Sequence, residues 1–177
     1  MRWKVLDERT VYEGSWARLL LADIELPGGQ RLEHCVIRLP RQSVATAVVD
    51  DHQRVLMLWR HRFITDRWGW ELPAGWADAE EDLAAAGRRE VEEETGWRPT
   101  TLIPLCSYSA NVGISDARHH LFWAKGASYQ GPPTHAHEAV QVEWVPLDRA
   151  RTLIEDGQID DGASITALLL LLADRGG

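Results

Sequence analysis

The sequence predicts an α/β protein in a single domain spanning residues 1–177, with a β-rich N-terminal extension over 1–40 and a core over 41–177. Three observations point there. Short β-prone segments separated by turn residues fill the extension. The runs 43–49 and 54–59 are nearly continuous in apolar residues, the composition of strands buried on both faces. The stretch from Gly75 to Trp97 reads as a loop followed by an amphipathic, heavily charged helix. With 177 residues and 45% apolar content, the chain can bury a sizeable core without staples.

In chain order, 3–6, 11–12, 17–26 and 32–39 are β-prone, and Pro27-Gly28-Gly29-Gln30 suits a hairpin connection. The two apolar runs that follow form a strand pair across Asp50-Asp51-His52-Gln53, and Arg60-His61-Arg62-Phe63 then puts cations directly after a buried strand. Segments 101–108 and 119–124 read as strands joined by 109–118. Gly, Pro and small residues make 126–136 a loop, followed by a strand over 140–145. A short helix over 148–155 closes on Gly157, and 161–164 can cap a last helix whose leucines are too few to span a bilayer.

The charged helix is the informative element. Leu83, Ala86 and Val91 can face a core, and Gly96 stands where a left-handed residue ends a helix. Glu90, Glu93 and Glu94 fall on one side, with Glu90 and Glu94 one turn apart. Such pairs each cost about a few tenths of a kcal/mol, and acids near the C-terminal end oppose the helix dipole. A cation among them relieves both. All-oxygen ligands, with no Cys and no His nearby, point to Mg²⁺ or Mn²⁺ rather than zinc. The alternative is a solvated acidic face.

Gly75, Glu81, Arg89-Glu90, the aliphatic Val91, Glu93-Glu94, Gly96 and the bulky Trp97 fall at the offsets of the Nudix box, and the stretch resembles that box with no departure at its defining positions. The resemblance implies an α/β/α sandwich with a mixed sheet. It also implies a metal-dependent hydrolase cleaving the diphosphate of a nucleoside diphosphate linked to another moiety. The products are then a nucleoside monophosphate and a phosphorylated second moiety. Glu90, Glu93 and Glu94 become metal ligands, Glu81 supports the site, and Arg89 holds the box glutamates by ion pairing.

The entry Glu71-Leu72-Pro73-Ala74-Gly75 is similar to that of ADP-ribose pyrophosphatases and related nucleotide-sugar hydrolases, in which the carbonyl at the position of Ala74 is a further metal ligand. In that group an arginine at the position of Arg62 lies near substrate phosphates, and a glutamate at the position of Glu138 activates the attacking water. A box glutamate, here Glu93, is the alternative base. Glu143 lies within a strand and is a poorer candidate. Trp70 or Trp68 can stack on a base or sugar, although nine tryptophans make packing the default. The group carries Ser-Pro-Gly and then a glutamate where this chain has 109–118. Here the proline is missing, and Asp116 stands near the expected acid as a candidate substrate contact. That departure counts against ADP-ribose itself. His119-His120 matches a structural run in the group. The N-terminal sheet resembles one that builds a homodimer by exchange between subunits, a plain monomeric extension being the alternative.

Cys35 and Cys106 have no CxxC spacing and read as reduced packing residues of a cytoplasmic protein. No signal-peptide run or membrane span is expected. A net charge of −8 argues against a nucleic-acid polymer as partner, so an anionic small molecule needs metal and local arginines. Two other functions stay open: hydrolysis of oxidised nucleoside triphosphates, and a non-catalytic nucleotide sensor.

Overall fold

The computed structural model describes residues 2–135 and 139–174. They form two compact units, Met1–Gln42 with Ser109–Arg118, and Ser43–Tyr108 with His119–Gly177.

In the first unit β1 (Lys4–Glu13), β2 (Arg18–Glu25) and β3 (Arg31–Arg38) make an antiparallel sheet in that order. The two segments expected over 3–6 and 11–12 are one strand, whose alternation is interrupted by register shifts between Val5 and Asp7 and between Thr10 and Tyr12. β2 alternates strictly and buries Leu20, Ala22 and Ile24. The expected turn closes with Leu26 N–H donating to Gln30 O and Gly29 N–H to Leu26 O, both at 2.8 Å. Segment 109–118 belongs to this unit because Ile37 N–H donates to Ile114 O at 2.8 Å and the Asp116 carboxylate accepts from Leu39 N–H at 3.0 Å.

The second unit contains β4 (Ser43–Val49), β5 (Arg54–Arg62), β6 (Arg67–Glu71), β7 (Ala74–Trp76), α1 (Leu83–Thr95), β8 (Trp97–Pro99) and β9 (Ile103–Tyr108). After these come β10 (His119–Lys125), β11 (Ala127–Tyr129), β12 (Gln141–Pro146), a 3₁₀ turn (Leu147–Arg149), α2 (Ala150–Glu155) and α3 (Gly162–Ala173). The main sheet runs β12-β5-β4-β10-β9, with β6 on β5 and β7 on β4. β4 and β10 are parallel and the other pairs antiparallel, so the sheet is mixed.

Alternation along the buried strands sends side chains to two cores. Val44, Val48 and Leu56 pack with Ala86 and Val91 of α1. Ala45, Ala47, Val55 and Met57 pack with Leu153 of α2 and with Leu168 and Leu171 of α3. Helices thus cover both faces, the expected α/β/α sandwich.

Two expectations are corrected. The loop expected over 126–136 contains β11, which pairs with β8; its composition reads as loop, and it becomes a strand only because β8 offers a free edge. β4 and β5 pair only at Val49 and Val55, beside their turn. Beyond that point they part, and β6 and β7 fill the opening. Glu71 to Gly75 crosses this fork, tied to β4 by Thr46 N–H donating to Pro73 O at 3.0 Å.

Candidate active site

α1 starts where the Asp82 carboxylate accepts from Ala85 N–H at 2.9 Å, the usual way a short acid satisfies an orphan donor. It ends at Gly96, in the left-handed region at φ 74°, whose N–H donates to Glu92 O. Gly96 has a second reason to lack a side chain: a Cβ there would collide with Gly131 O.

Arg89 organises the solvent-side half of the site. Its Nε and Nη2 both donate to Glu81 at 3.0 Å, Nη2 also reaches Trp76 O at 3.0 Å, and Nη1 donates to Glu90 at 2.8 Å and Glu93 at 3.0 Å. The hydrogen bonds to Glu81, ahead of those to Glu90 and Glu93, push the guanidinium's pKa up, and Arg89 in turn holds the Glu81 carboxyl below its ordinary range. Gly75 lies against the Glu90 carboxylate so closely that any Cβ would occupy the same space.

Glu94 faces inward and is held differently. Its Oε1 accepts from Arg60 Nη2 at 2.7 Å and its Oε2 from Ala74 N–H at 2.9 Å, with the two side chains 1% and 3% exposed for Glu94 and Arg60. Arg60 Nε lies 3.7 Å from Glu71, which accepts three hydrogen bonds of 2.5 to 3.1 Å from the half-exposed Arg62. Among the described residues three guanidiniums (Arg60, Arg62, Arg89) thus face five carboxylates (Glu71, Glu81, Glu90, Glu93, Glu94), two more negative charges than positive.

Among the described residues no three His, Cys, Asp or Glu side chains converge as a ready-made metal cage. The carboxylates are instead shared among guanidiniums, Glu81, Glu90 and Glu93 on Arg89 and Glu71 and Glu94 on Arg60. The donor set nevertheless fits a hard divalent cation. It is all oxygen, it has two negative charges in excess, and each carboxylate has lone pairs beyond those its arginine takes. The bare Gly75 leaves Glu90 room beside the backbone of β7.

The other expected site residues are more scattered. Trp70 is half-buried, 5.2 Å from Trp59 and against the core, while the more exposed Trp68 stacks on Trp59 at 6.3 Å. Both border a pocket of about 340 Å³ with Arg62, Glu71 and Asp160. Asp116 lies in the first unit, bonded to Leu39 N–H and paired with Arg38 at 3.4 Å. Glu138 lies outside the described residues. His135, at the end of the described stretch before it, donates its N–H to Glu93 O at 2.9 Å. A cavity of about 690 Å³ opens there, between Arg88, Arg89 and Glu93 of α1 and Gln130 to Thr134. His119 stacks on Tyr108 and burial lowers its pKa, so it sits neutral in packing.

Sequence reasoning passed over Arg60 and Glu71. The signal was slight: Arg60 directly follows an apolar run, and only because β5 continues to Arg62 is its guanidinium buried, where it requires a carboxylate.

The NUDIX domain family matches residues 39–168, and the N-terminal domain of nucleoside diphosphate sugar hydrolases matches residues 3–37. The chain therefore belongs to the Nudix hydrolase family. One relative, the CMP-5'-(N-acetyl-N-hydroxy-3-aminopropyl)phosphonate hydrolase of Streptomyces rubellomurinus, is 42% identical over 97% of this chain and 83% of its own length. The ADP-ribose pyrophosphatase of Bacillus subtilis is 28% identical over 95% and 94% of the two chains. A crystal structure of an ADP compounds hydrolase superposes with a TM-score of 0.88 at 19% identity, covering 98% of this chain and 94% of that one, which shows a shared fold.

Proposed function

We propose that the protein hydrolyses a nucleotide joined to a second phosphorus-bearing group, the ADP-ribose or nucleotide-sugar type of substrate, releasing a nucleoside monophosphate and a phosphorylated second product. The observation that carries this is the surplus, among the described residues, of two carboxylates over guanidiniums on the Arg-clamped box, suited to divalent metal. The names of two relatives support the substrate class, one an ADP-ribose pyrophosphatase and one a hydrolase of a CMP-linked phosphonate.

Glu90, Glu93, Glu94 and the Ala74 carbonyl would hold Mg²⁺, with Mn²⁺ the alternative. When bound, such an ion supplies charge neutralisation on the diphosphate and a more acidic water. The chain's own residues do the rest. Arg62, half exposed beside its pocket, offers a guanidinium to a phosphate. Glu138 takes the proton of the attacking water while its oxygen bonds to phosphorus and the bridging P–O bond breaks. Glu93 is the alternative base. Arg89 keeps Glu81, Glu90 and Glu93 in register. Trp70 and Trp68 border the pocket suited to a base or sugar.

We also infer a homodimer built through the N-terminal sheet. β1 is an edge strand exposed along its whole length, showing Val5, Leu6, Val11 and Tyr12, with Trp3 exposed just before it. Cys35 and Cys106 are free, which suits a reducing cytoplasm, and no helix among the described residues is long and apolar enough to cross a membrane.

The deciding experiment is a turnover screen with Mg²⁺ and with Mn²⁺ over ADP-ribose, sugar nucleotides, CMP-linked phosphonates, dinucleotides and oxidised nucleoside triphosphates. Preference for the triphosphates would overturn the substrate class. Binding without turnover would make the protein a sensor.

A further inference from the structure

We infer that Arg60 is a positioning residue for the metal site, setting the orientation of Glu94 from the β5–β6 hairpin; this rests on the reading of Glu94 as a metal ligand. Both Glu94 oxygens are taken by donors from different strands, Oε1 by Arg60 at 2.7 Å and Oε2 by Ala74 N–H at 2.9 Å. A carboxylate gripped at both ends cannot rotate about its last bond, so its remaining lone pairs point in fixed directions. Arg60 is itself steadied by Glu71 at 3.7 Å, and Glu71 by three hydrogen bonds from Arg62. The chain Glu94, Arg60, Glu71, Arg62 therefore runs from the buried end of α1 to a guanidinium that is 52% exposed.

Stability alone does not account for this arrangement. A buried ion pair is often no more stabilising than apolar residues of equal volume, whereas removing one partner strands the other's charge. What apolar residues cannot supply is a fixed carboxylate plane. Groups that hydrogen-bond a metal's ligands typically affect its affinity about 10- to 100-fold.

The test measures Mn²⁺ affinity of the full chain by electron paramagnetic resonance of free Mn²⁺, alongside thermal unfolding, for wild type, Arg60→Met, Arg60→Lys and Glu94→Gln. The expected result is Mn²⁺ binding weakened about tenfold or more in folded Arg60→Met, with partial recovery in Arg60→Lys. Unchanged affinity overturns the inference. Tighter binding also overturns it, showing Arg60 to be a competitor for Glu94. If the Arg60 variants do not fold, Glu71→Gln keeps the pair but loosens its support; weaker Mn²⁺ binding then upholds the inference and unchanged binding overturns it. Glu94→Gln separates the two levels. If it leaves affinity unchanged, the metal reading itself fails; if it lowers affinity while the Arg60 and Glu71 variants do not, only the role of Arg60 fails.

Discussion

The box helix with its loop and the β5–β6 hairpin both hold carboxylates with arginine, but they do so in opposite settings. Arg89 is 32% exposed and finds its partners within 13 positions of sequence, three carboxylates and one carbonyl. Arg60 is 3% exposed and reaches 34 positions to Glu94. A partly wet clamp can exchange partners as charge arrives, because water screens each arrangement. A dry pair cannot, because an unpartnered ion there costs several kcal/mol. The protein thus has one adjustable side to its carboxylate cluster and one fixed side.

The largest expected effect falls at the buried end of the fixed side. Glu94→Gln should lower turnover about 100-fold or more with the fold retained by circular dichroism; a wild-type rate would remove Glu94 from the chemistry. On the adjustable side, Gly75→Ala drives a Cβ into the Glu90 carboxylate, and overpacking of this kind costs about 1–3 kcal/mol in urea denaturation together with lost turnover. An unchanged variant would mean that Glu90 is free to swing away. On the fixed side, Arg62→Ala should raise KM about tenfold with kcat nearly constant, as removal of a phosphate contact does; a fall in kcat alone would make Arg62 a support for Glu71 only.

Smaller effects separate helix stability from the site. Asp82→Ala should cost about 1 kcal/mol by loss of the cap. Mn²⁺ affinity should not change with it. Glu81 is held below its ordinary value of 4.5 by the Arg89 hydrogen bonds, so its stabilisation is present above 4.5 and is lost as pH falls through the lower folded value. Glu81→Gln should lower stability at neutral pH and flatten the profile in that acidic window, where the wild type loses the same contribution.

How much was legible follows the same division. α1, its Gly96 terminus and the grouping of the three helix carboxylates could be read because period and spacing are local, whereas the pairing of β4 with β5 was read too far, holding only at Val49 and Val55. Arg89 was legible because its partners sit in the same motif. The pairing of Arg60 with Glu94 joins a strand to a helix and leaves no periodic trace, and only a cation set directly against the end of an apolar run hinted at it. β11 was hidden because small, turn-prone residues become a strand only against the edge of β8. The part played by Asp116 was hidden for a related reason, since its bonds to Leu39 and Arg38 depend on where the chain returns.

The fork between β4 and β5 carries one more implication. Because Ala74 lies in a ladder with Ala45 while its amide grips Glu94, the last turn of the helix is clasped to the middle of the sheet. Amides of β7 should therefore exchange with deuterium at the pace of global unfolding rather than of local fraying, unusual for a three-residue strand. A substitution that unzips that short ladder would reach the box carboxylates without touching any of them.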